Sequence, residues 1–141
     1  MSFSLILLAA GKSNRFKSNI PKPYHKLGGK TLLEISLSKI RLFKEIKKIV
    51  VVVNKNHKKY IKPLKIKNVK LIIGGDTRGE STFKALKFLV NQKYLHKVLI
   101  HDAARPNFSV NLIKKIIINS KRFKVVIPVL KVQDALKEKK Q

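Results

Sequence analysis

Three stretches of this sequence set small, charged and hydroxyl-bearing residues side by side in a way that suits phosphate chemistry. The first is Ala9-Ala10-Gly11-Lys12-Ser13-Asn14-Arg15, followed at short range by Pro21-Lys22-Pro23. Small residues let backbone approach a ligand and leave amides to cradle phosphate oxygens, while Arg15 and Lys22 add positive charge. The second is Gly74-Gly75-Asp76-Thr77-Arg78-Gly79-Glu80-Ser81, a glycine-flanked turn in which Ser81 can cap a helix or bind a ligand. The third is His101-Asp102-Ala103-Ala104-Arg105-Pro106. A carboxylate and a guanidinium are costly at the end of a buried strand unless paired, so Asp102 and Arg105 form either a structural ion pair or part of a ligand site. A fourth and weaker stretch, Asp134-Ala135-Leu136-Lys137, follows Pro128-Val129.

Backbone amides, Arg and Lys beside isolated carboxylates suit transfer at a phosphorus atom, where catalysis is mostly positioning and neutralisation of charge. Two well-known phosphate loops do not fit. A Walker loop needs glycine where Ile6 stands, and the dinucleotide fingerprint needs glycine at Ser13 and Phe16. Other chemistries lack their residues: there is no cysteine, no serine in a nucleophile elbow, and no metal-ligand spacing among His25, His57, His96 and His101. His101 is expected to hold its loop rather than act as a general base.

The elements that must position these stretches follow from periodicity. Nearly continuous apolar, β-rich runs lie at Phe3–Ala10, Ile46–Asn54, Val69–Gly75, Val98–Ala103 and Lys124–Val132. Such runs suit strands buried on both faces of a parallel sheet. Between them, Leu33, Leu37, Ile40 and Phe43 share one helical face, as do Phe83, Leu86 and Val90. Ser109 can cap a helix carrying Leu112, Ile113, Ile116 and Ile117, and Pro63 weakens a helical reading of His57–Leu64. Strand and helix alternate, which predicts an α/β fold: a Rossmann-like, doubly wound, mostly parallel sheet with helices on both faces. In such a sheet ligands sit beyond the carboxyl ends of the strands. All three aspartates, together with Arg15, Arg78, Arg105 and Lys22, fall in those strand-end segments.

Composition sets the outer limits. The 141 residues suit one domain, residues 1–141, and the lack of cysteine allows a reducing compartment, with the cytoplasm the simplest expectation. No apolar run approaches the roughly 18 to 20 residues that cross a bilayer, so no membrane role is expected. A net charge of +26 would ordinarily suggest nucleic acid. However, 28 of the 33 basic residues are Lys, spread along the chain without interleaved aromatics or an arginine-rich arm, so no nucleic-acid partner is expected.

Taken together, "LAAGKSNRF…PKPY", "GGDTRGES", "HDAARP" and the less exact "PVLKVQDALK" resemble the 2-C-methyl-D-erythritol 4-phosphate cytidylyltransferases of the non-mevalonate isoprenoid route. The first segment alone would match sugar nucleotidyltransferases broadly, and His-Asp-Ala-Ala-Arg-Pro narrows it. The resemblance implies a transferase that moves a cytidylyl group from CTP to a polyol phosphate and releases pyrophosphate. It implies that Ala9, Ala10 and Gly11 help hold CTP, with Gly75, Asp76 and Ser81 at its base or ribose and Asp102 and Ala103 also at the nucleotide. Asp102, Arg105 and Ala135 would face the acceptor, and Arg15 and Lys22 would stabilise the transition state. Mg²⁺ held mainly by the nucleotide phosphates, with no metal ligand set from the protein, and a homodimer for the full-length family are implied as well.

Three departures from the family pattern stand out. Pro23 replaces the usual Gln after Pro-Lys, Ser13 stands where glycine is common, and Ala135 takes the place of a threonine after a segment with extra residues. The resemblance covers the N-terminal majority of such an enzyme. A polypeptide complete at Gln141 is expected to bind CTP with weak or no transfer and to dimerise poorly. A fragment of a longer chain, bifunctional if fused to the next-but-one enzyme of the route, is expected to come from an active protein. A cytidylyltransferase for another polyol phosphate, such as ribitol 5-phosphate, and a CTP-binding remnant without turnover are the alternatives.

Overall fold

The computed structural model describes residues 1–11, 18–64, 66–93 and 97–131. The chain forms two compact units, Met1–Phe108 and Ser109–Gln141. The first unit runs β1 (Phe3–Ala9), β2 (Lys26–Leu27), β3 (Lys30–Thr31), α1 (Leu32–Ile40), β4 (Ile46–Val53), α2 (Lys58–Ile61), β5 (Lys70–Ile73), α3 (Arg78–Asn91) and β6 (Lys97–Asp102). The second contains α4 (Val110–Asn119), capped by the Ser109 hydroxyl, which accepts from the Leu112 amide at 3.1 Å. Leu112, Ile113 and Ile116 are half-buried and Ile117 is buried, on the face the sequence predicts.

β1, β4, β5 and β6 form one sheet in the order β5-β4-β1-β6, with every neighbouring pair parallel. Ile6 sits opposite Val50 on one side and Ile100 on the other. The continuous apolar runs have the expected meaning in the centre of the sheet. All of β1 is buried, as are the last five residues of β4. On one face Ile6, Leu8, Val50 and Val52 pack with Ala85 and Leu89 of α3. By strand alternation Leu5, Leu7 and Val51 point the other way, and they too are buried. The outer strands differ: Leu71 and Ile73 of β5 and Ile100 of β6 are exposed, because an edge strand has fewer neighbours to cover it.

The order of the strands makes the site. The chain builds outward from β1 to β4 to β5, then returns to place β6 on the other side of β1. The loops leaving β1 and β6 therefore diverge at their carboxyl ends, which opens a crevice at this switch point. Both helices that flank it start with a capping box. Thr31 and Glu34 close α1, and Thr77 and Glu80 close α3, each threonine hydroxyl accepting from the glutamate amide.

Two sequence expectations are corrected. Lys124–Val132 forms no strand among its described residues, and Val129 and Leu130 are 84% and 94% exposed. A β-rich run becomes a strand only with a neighbour to pair with, and Pro128 lacks an amide to offer one. The buried face of α3 is Ser81, Ala85 and Leu89, while Phe83 and Val90 are exposed and only Leu86 of the expected face packs partly against the core. Apolar side chains misled here because the small Ser81 and Ala85 are what let α3 lie close to the sheet. As Pro63 led one to expect, His57–Leu64 holds only the single turn of α2, preceded by a 3₁₀ turn at Lys55–His57. Finally, β2 and β3 make a two-residue hairpin that the apolar pattern did not signal. Its turn needs Gly28 and Gly29, at φ of 57° and 79°, a conformation that costs other residues strain.

Gly74 has a steric rather than a conformational role. A β-carbon there would come within 2.6 Å of Ser81 Oγ, 2.8 Å of Ala10 Cβ and 3.0 Å of Val52 Cγ1. Gly74→Ala is therefore expected to destabilise the fold by about 1–3 kcal/mol, the usual cost of overpacking, visible as a lowered midpoint in urea unfolding.

Candidate active site

Beyond the carboxyl ends of β1 and β6 lies a cavity of about 310 Å³, at the small end of the range of ligand pockets. Its walls come from the three stretches singled out in the sequence. Leu8, Ala10 and Gly11 contribute from the end of β1, and Gly75 to Arg78 with Ser81 come from the turn into α3. Asp102, Ala104 and Arg105 come from the end of β6, and Lys22 and Pro23 complete the lining.

Each wall is held by its own bonds. The Asn54 side-chain amide donates to the Ala10 carbonyl at 3.3 Å, fixing the chain where it leaves β1. Lys22 begins a 3₁₀ turn, Lys22–Tyr24, closed by the Tyr24 amide on the Pro21 carbonyl at 2.9 Å. Pro23 and Tyr24 are buried, so Lys22 stands on an anchored base. Across the cavity, Ser81 Oγ accepts from the Gly75 amide at 3.1 Å. Glu80 Oε2 accepts from the Asp76 amide at 2.7 Å, so the glycine-flanked turn is fastened at both ends to the start of α3. Thr77, not Ser81, caps the helix.

The third wall centres on Asp102. Arg78 Nε donates to its Oδ1 at 3.3 Å and Arg105 Nε to its Oδ2 at 3.2 Å. The two guanidiniums thus outnumber the carboxylate and leave a net positive charge at the cavity wall. Beneath them the loop is tied to α1. Ser36 Oγ donates to the Ala103 carbonyl at 3.0 Å, and Lys39 Nζ donates to the Pro106 carbonyl at 2.8 Å. The Ala103 amide donates to the Leu8 carbonyl at 2.9 Å, which extends the β1–β6 ladder by one bond. His101 Nε2 donates to the Arg105 carbonyl at 2.9 Å, and its ring meets Phe108 edge-on. His101 holds the loop, as its place in the sequence suggested.

Burial pushes the pKa of His101 down, against the hydrogen bond to Arg105 and the charge of Asp102, and burial does the same to His57 against a backbone bond at Ala9. The sign follows from proton counting. Between their depressed values and the unfolded value of about 6.5, the unfolded chain holds more protons than the folded one. Both histidines therefore contribute stability that is complete above about pH 6.5 and is lost as pH falls through their folded pKa values. The thermal midpoint is expected to fall between about pH 7.5 and pH 5.5, and His57→Phe with His101→Gln is expected to flatten that slope in a pH series of melts.

The structure brings Ala10, Gly11, Lys22, Gly75, Asp76 and Ser81 to one cavity, together with Asp102 and Arg105. Ala9 and Ala103 lie buried at the strand ends behind it. Arg15 and Ala135 fall outside the described residues. Arg78 is the residue the sequence reading passed over when it assigned ligand contacts. It was visible as one of the strand-end arginines, and its reach to Asp102 depends on β5 and β6 lying on opposite sides of β1 and β4.

Comparison with known proteins identifies the family. The family model for 2-C-methyl-D-erythritol 4-phosphate cytidylyltransferase (IspD) matches residues 3–141. A bifunctional enzyme IspD/IspF of Pelagibacter ubique is 48% identical over 139 residues, covering 99% of this chain and 37% of that protein. A 2-C-methyl-D-erythritol 4-phosphate cytidylyltransferase of Thermosipho africanus is 38% identical over 135 residues, covering 93% of this chain and 59% of that protein. The solved structure of the bifunctional IspDF from Campylobacter jejuni superimposes with a TM-score of 0.82 at 35% identity, covering 97% of this chain and 35% of that one. The chain thus spans between about a third and three-fifths of the length of these relatives. Matched to the family model along nearly all of its length, and alike in sequence and in fold to these relatives, the chain belongs to the 2-C-methyl-D-erythritol 4-phosphate cytidylyltransferase family.

Proposed function

We propose that this chain supplies the CTP-binding site of a 2-C-methyl-D-erythritol 4-phosphate cytidylyltransferase. The observation that carries the reading is the convergence of Lys22, Arg78 and Arg105 on one cavity at the switch point of the sheet. In the reaction a phosphate oxygen of the acceptor attacks the α-phosphorus of CTP. A new P–O bond forms, the bond to the bridging oxygen breaks, and that electron pair leaves with pyrophosphate. No covalent intermediate with the protein is needed.

The parts of the cavity divide this work. Ala10 and Gly11 expose backbone to the triphosphate, and the turn at Gly75 and Asp76 faces the base or ribose with Ser81. Negative charge grows on the α-phosphoryl oxygens and on the departing pyrophosphate, and Lys22 neutralises it from a turn fixed in advance, with Arg15 as the second positive charge that the family resemblance implies. Asp102 orients Arg78 and Arg105 by accepting from both. Arg105 then meets the phosphate of the acceptor.

A magnesium ion fits this donor set as one held chiefly by the nucleotide. Among the described residues no three His, Asp or Glu side chains cluster to cage a cation, and the cavity offers Asp102 and Asp76 as carboxylates. Mg²⁺ commonly takes one or two carboxylates together with substrate phosphates and water. When bound, it would neutralise part of the charge on the phosphates. A homodimer for the full-length protein, a cytoplasmic location and a single nucleotidyltransferase domain over residues 1–141 belong to the same proposal. Among the described residues no helix is long and apolar enough to cross a membrane.

The test supplies the purified protein with CTP and, separately, 2-C-methyl-D-erythritol 4-phosphate or ribitol 5-phosphate, and measures pyrophosphate. Release with the methylerythritol phosphate is the expected result. Turnover only with ribitol 5-phosphate would contradict the acceptor. Stabilisation by CTP in a thermal melt without product would instead mark a nucleotide-binding protein without turnover.

A further inference from the structure

The loop that follows β6 carries Arg105 to the cavity wall, and its carbonyls show how it is held. At the root of the loop, Ala103 is still bound to the sheet, its amide on the Leu8 carbonyl at 2.9 Å and its carbonyl accepting from Ser36 Oγ at 3.0 Å. Further out, side chains hold the chain. His101 Nε2 donates to the Arg105 carbonyl at 2.9 Å, and Lys39 Nζ donates to the carbonyls of Pro106 at 2.8 Å and Phe108 at 3.2 Å. The same ammonium lies 5.3 Å from the centroid of the Phe108 ring, which His101 meets edge-on at 4.8 Å.

Ser36 and Lys39 stand three residues apart in α1 and so share one face of that helix. That face grips the loop at both ends, Ala103 on the near side and Pro106 and Phe108 on the far side, with Arg105 between them. Lys39 is half-buried, and its single ammonium serves two carbonyls and a ring. Hydrogen bonds from a charged donor are the stronger ones, so a neutral side chain of similar length would release the far end. The Arg105 guanidinium is itself bonded to Asp102, but that pair is exposed and screened by water, so the backbone must fix the other end of the side chain.

We propose that Lys39 is a positioning residue for Arg105: it holds the outer half of the loop, residues 105–108, and so sets the guanidinium for the phosphate of the acceptor. The inference rests on the cytidylyl-transfer reading for the role of Arg105, and on the described contacts alone for the hold. A binding group misplaced by about 1 Å can cost up to 10²-fold in rate. The effect falls on the acceptor and spares CTP, because the Ala103 end of the loop keeps its bonds to Ser36 and Leu8.

The experiment is a double-mutant cycle in turnover, with folding followed by thermal melts. Lys39→Met keeps the length and removes the charge, and is expected to lower kcat/KM for the acceptor about tenfold with less than a twofold change in KM for CTP. Lys39→Arg restores a charged donor and is expected to recover part of the loss. In the Arg105→Ala background Lys39→Met is expected to cost nothing further. An equal loss in both backgrounds, or no loss for the acceptor in Lys39→Met, would overturn the proposal.

If the parent protein releases no pyrophosphate with either acceptor, it is the transfer reading that fails, and the hold is read separately by hydrogen exchange. The probe is the Arg105 amide, which donates to the Asp102 carbonyl at 3.0 Å. Lys39→Met is expected to speed its exchange about tenfold while the sheet amides of Leu7 and Val51 keep their parent rates. An unchanged rate at Arg105, or an equal acceleration in the sheet, overturns the hold.

Discussion

Lys22→Ala is expected to lower the turnover of cytidylyl transfer about 10²-fold or more, the usual cost of removing one preorganised charge from a phosphoryl-transfer site. The side chain lines the cavity from a turn whose next two residues, Pro23 and Tyr24, are buried. Proline fixes φ at its own position, so little chain entropy is lost in presenting the charge. The fold should hardly notice the change, because Lys22 is exposed and the buried anchors remain. The measurement is steady-state pyrophosphate release beside a thermal melt. The expected result is a large fall in kcat with a small shift in midpoint, and Lys22→Arg should recover part of the rate by restoring the charge.

Asp102→Ala is expected to have a comparable effect for a different reason. The carboxylate accepts from Arg78 and Arg105, and without it the two guanidiniums repel each other across the cavity. Both arginine side chains are well exposed, 65% and 77%, so solvent screens each pair and neither contributes more than about 1 kcal/mol to folding. Stability should therefore change little. Orientation is another matter, since the loop that carries Asp102 is fastened from beneath by Ser36 and Lys39 and was built to be rigid. Loss of the carboxylate is expected to lower kcat/KM for the acceptor about 10²-fold, as misplaced binding groups do. A purely structural ion pair would give the opposite pattern, with a lower midpoint and an unchanged specificity constant.

The site was more legible in the sequence than the fold around it. Glycines, aspartates and arginines at the ends of apolar runs marked the loops that meet at one cavity, and Gly75, Asp76, Asp102 and Arg105 all line it, while their assignment to a ligand came from the family resemblance. The parallel sheet was equally visible, because the central strands β1 and β4 are buried on both faces and leave an unbroken apolar signature. What the sequence hid were features decided by tertiary packing. Apolar content suggested a face through Phe83 and Val90, whereas α3 packs through Ser81, Ala85 and Leu89, where small side chains permit close approach. The run at Lys124–Val132 had the composition of a strand, but residues 124–131 pair with no neighbour. Arg78 could not be given its partner from sequence, because its bond to Asp102 spans 24 residues and depends on which side of β1 the returning strand takes.

The basic surface tempts a different account, in which a net charge of +26 draws any polyanion to the chain without a defined site. The measurement that separates the two most directly is a chemical-shift map of the backbone amides during titration with CTP and Mg²⁺. Binding at the switch-point cavity predicts the largest shifts at Ala10, Gly11, Gly75, Asp76 and Ala103, saturating with CTP and weaker with ATP or GTP. Shifts scattered among surface lysines, alike for all three nucleotides and abolished by moderate salt, would contradict it.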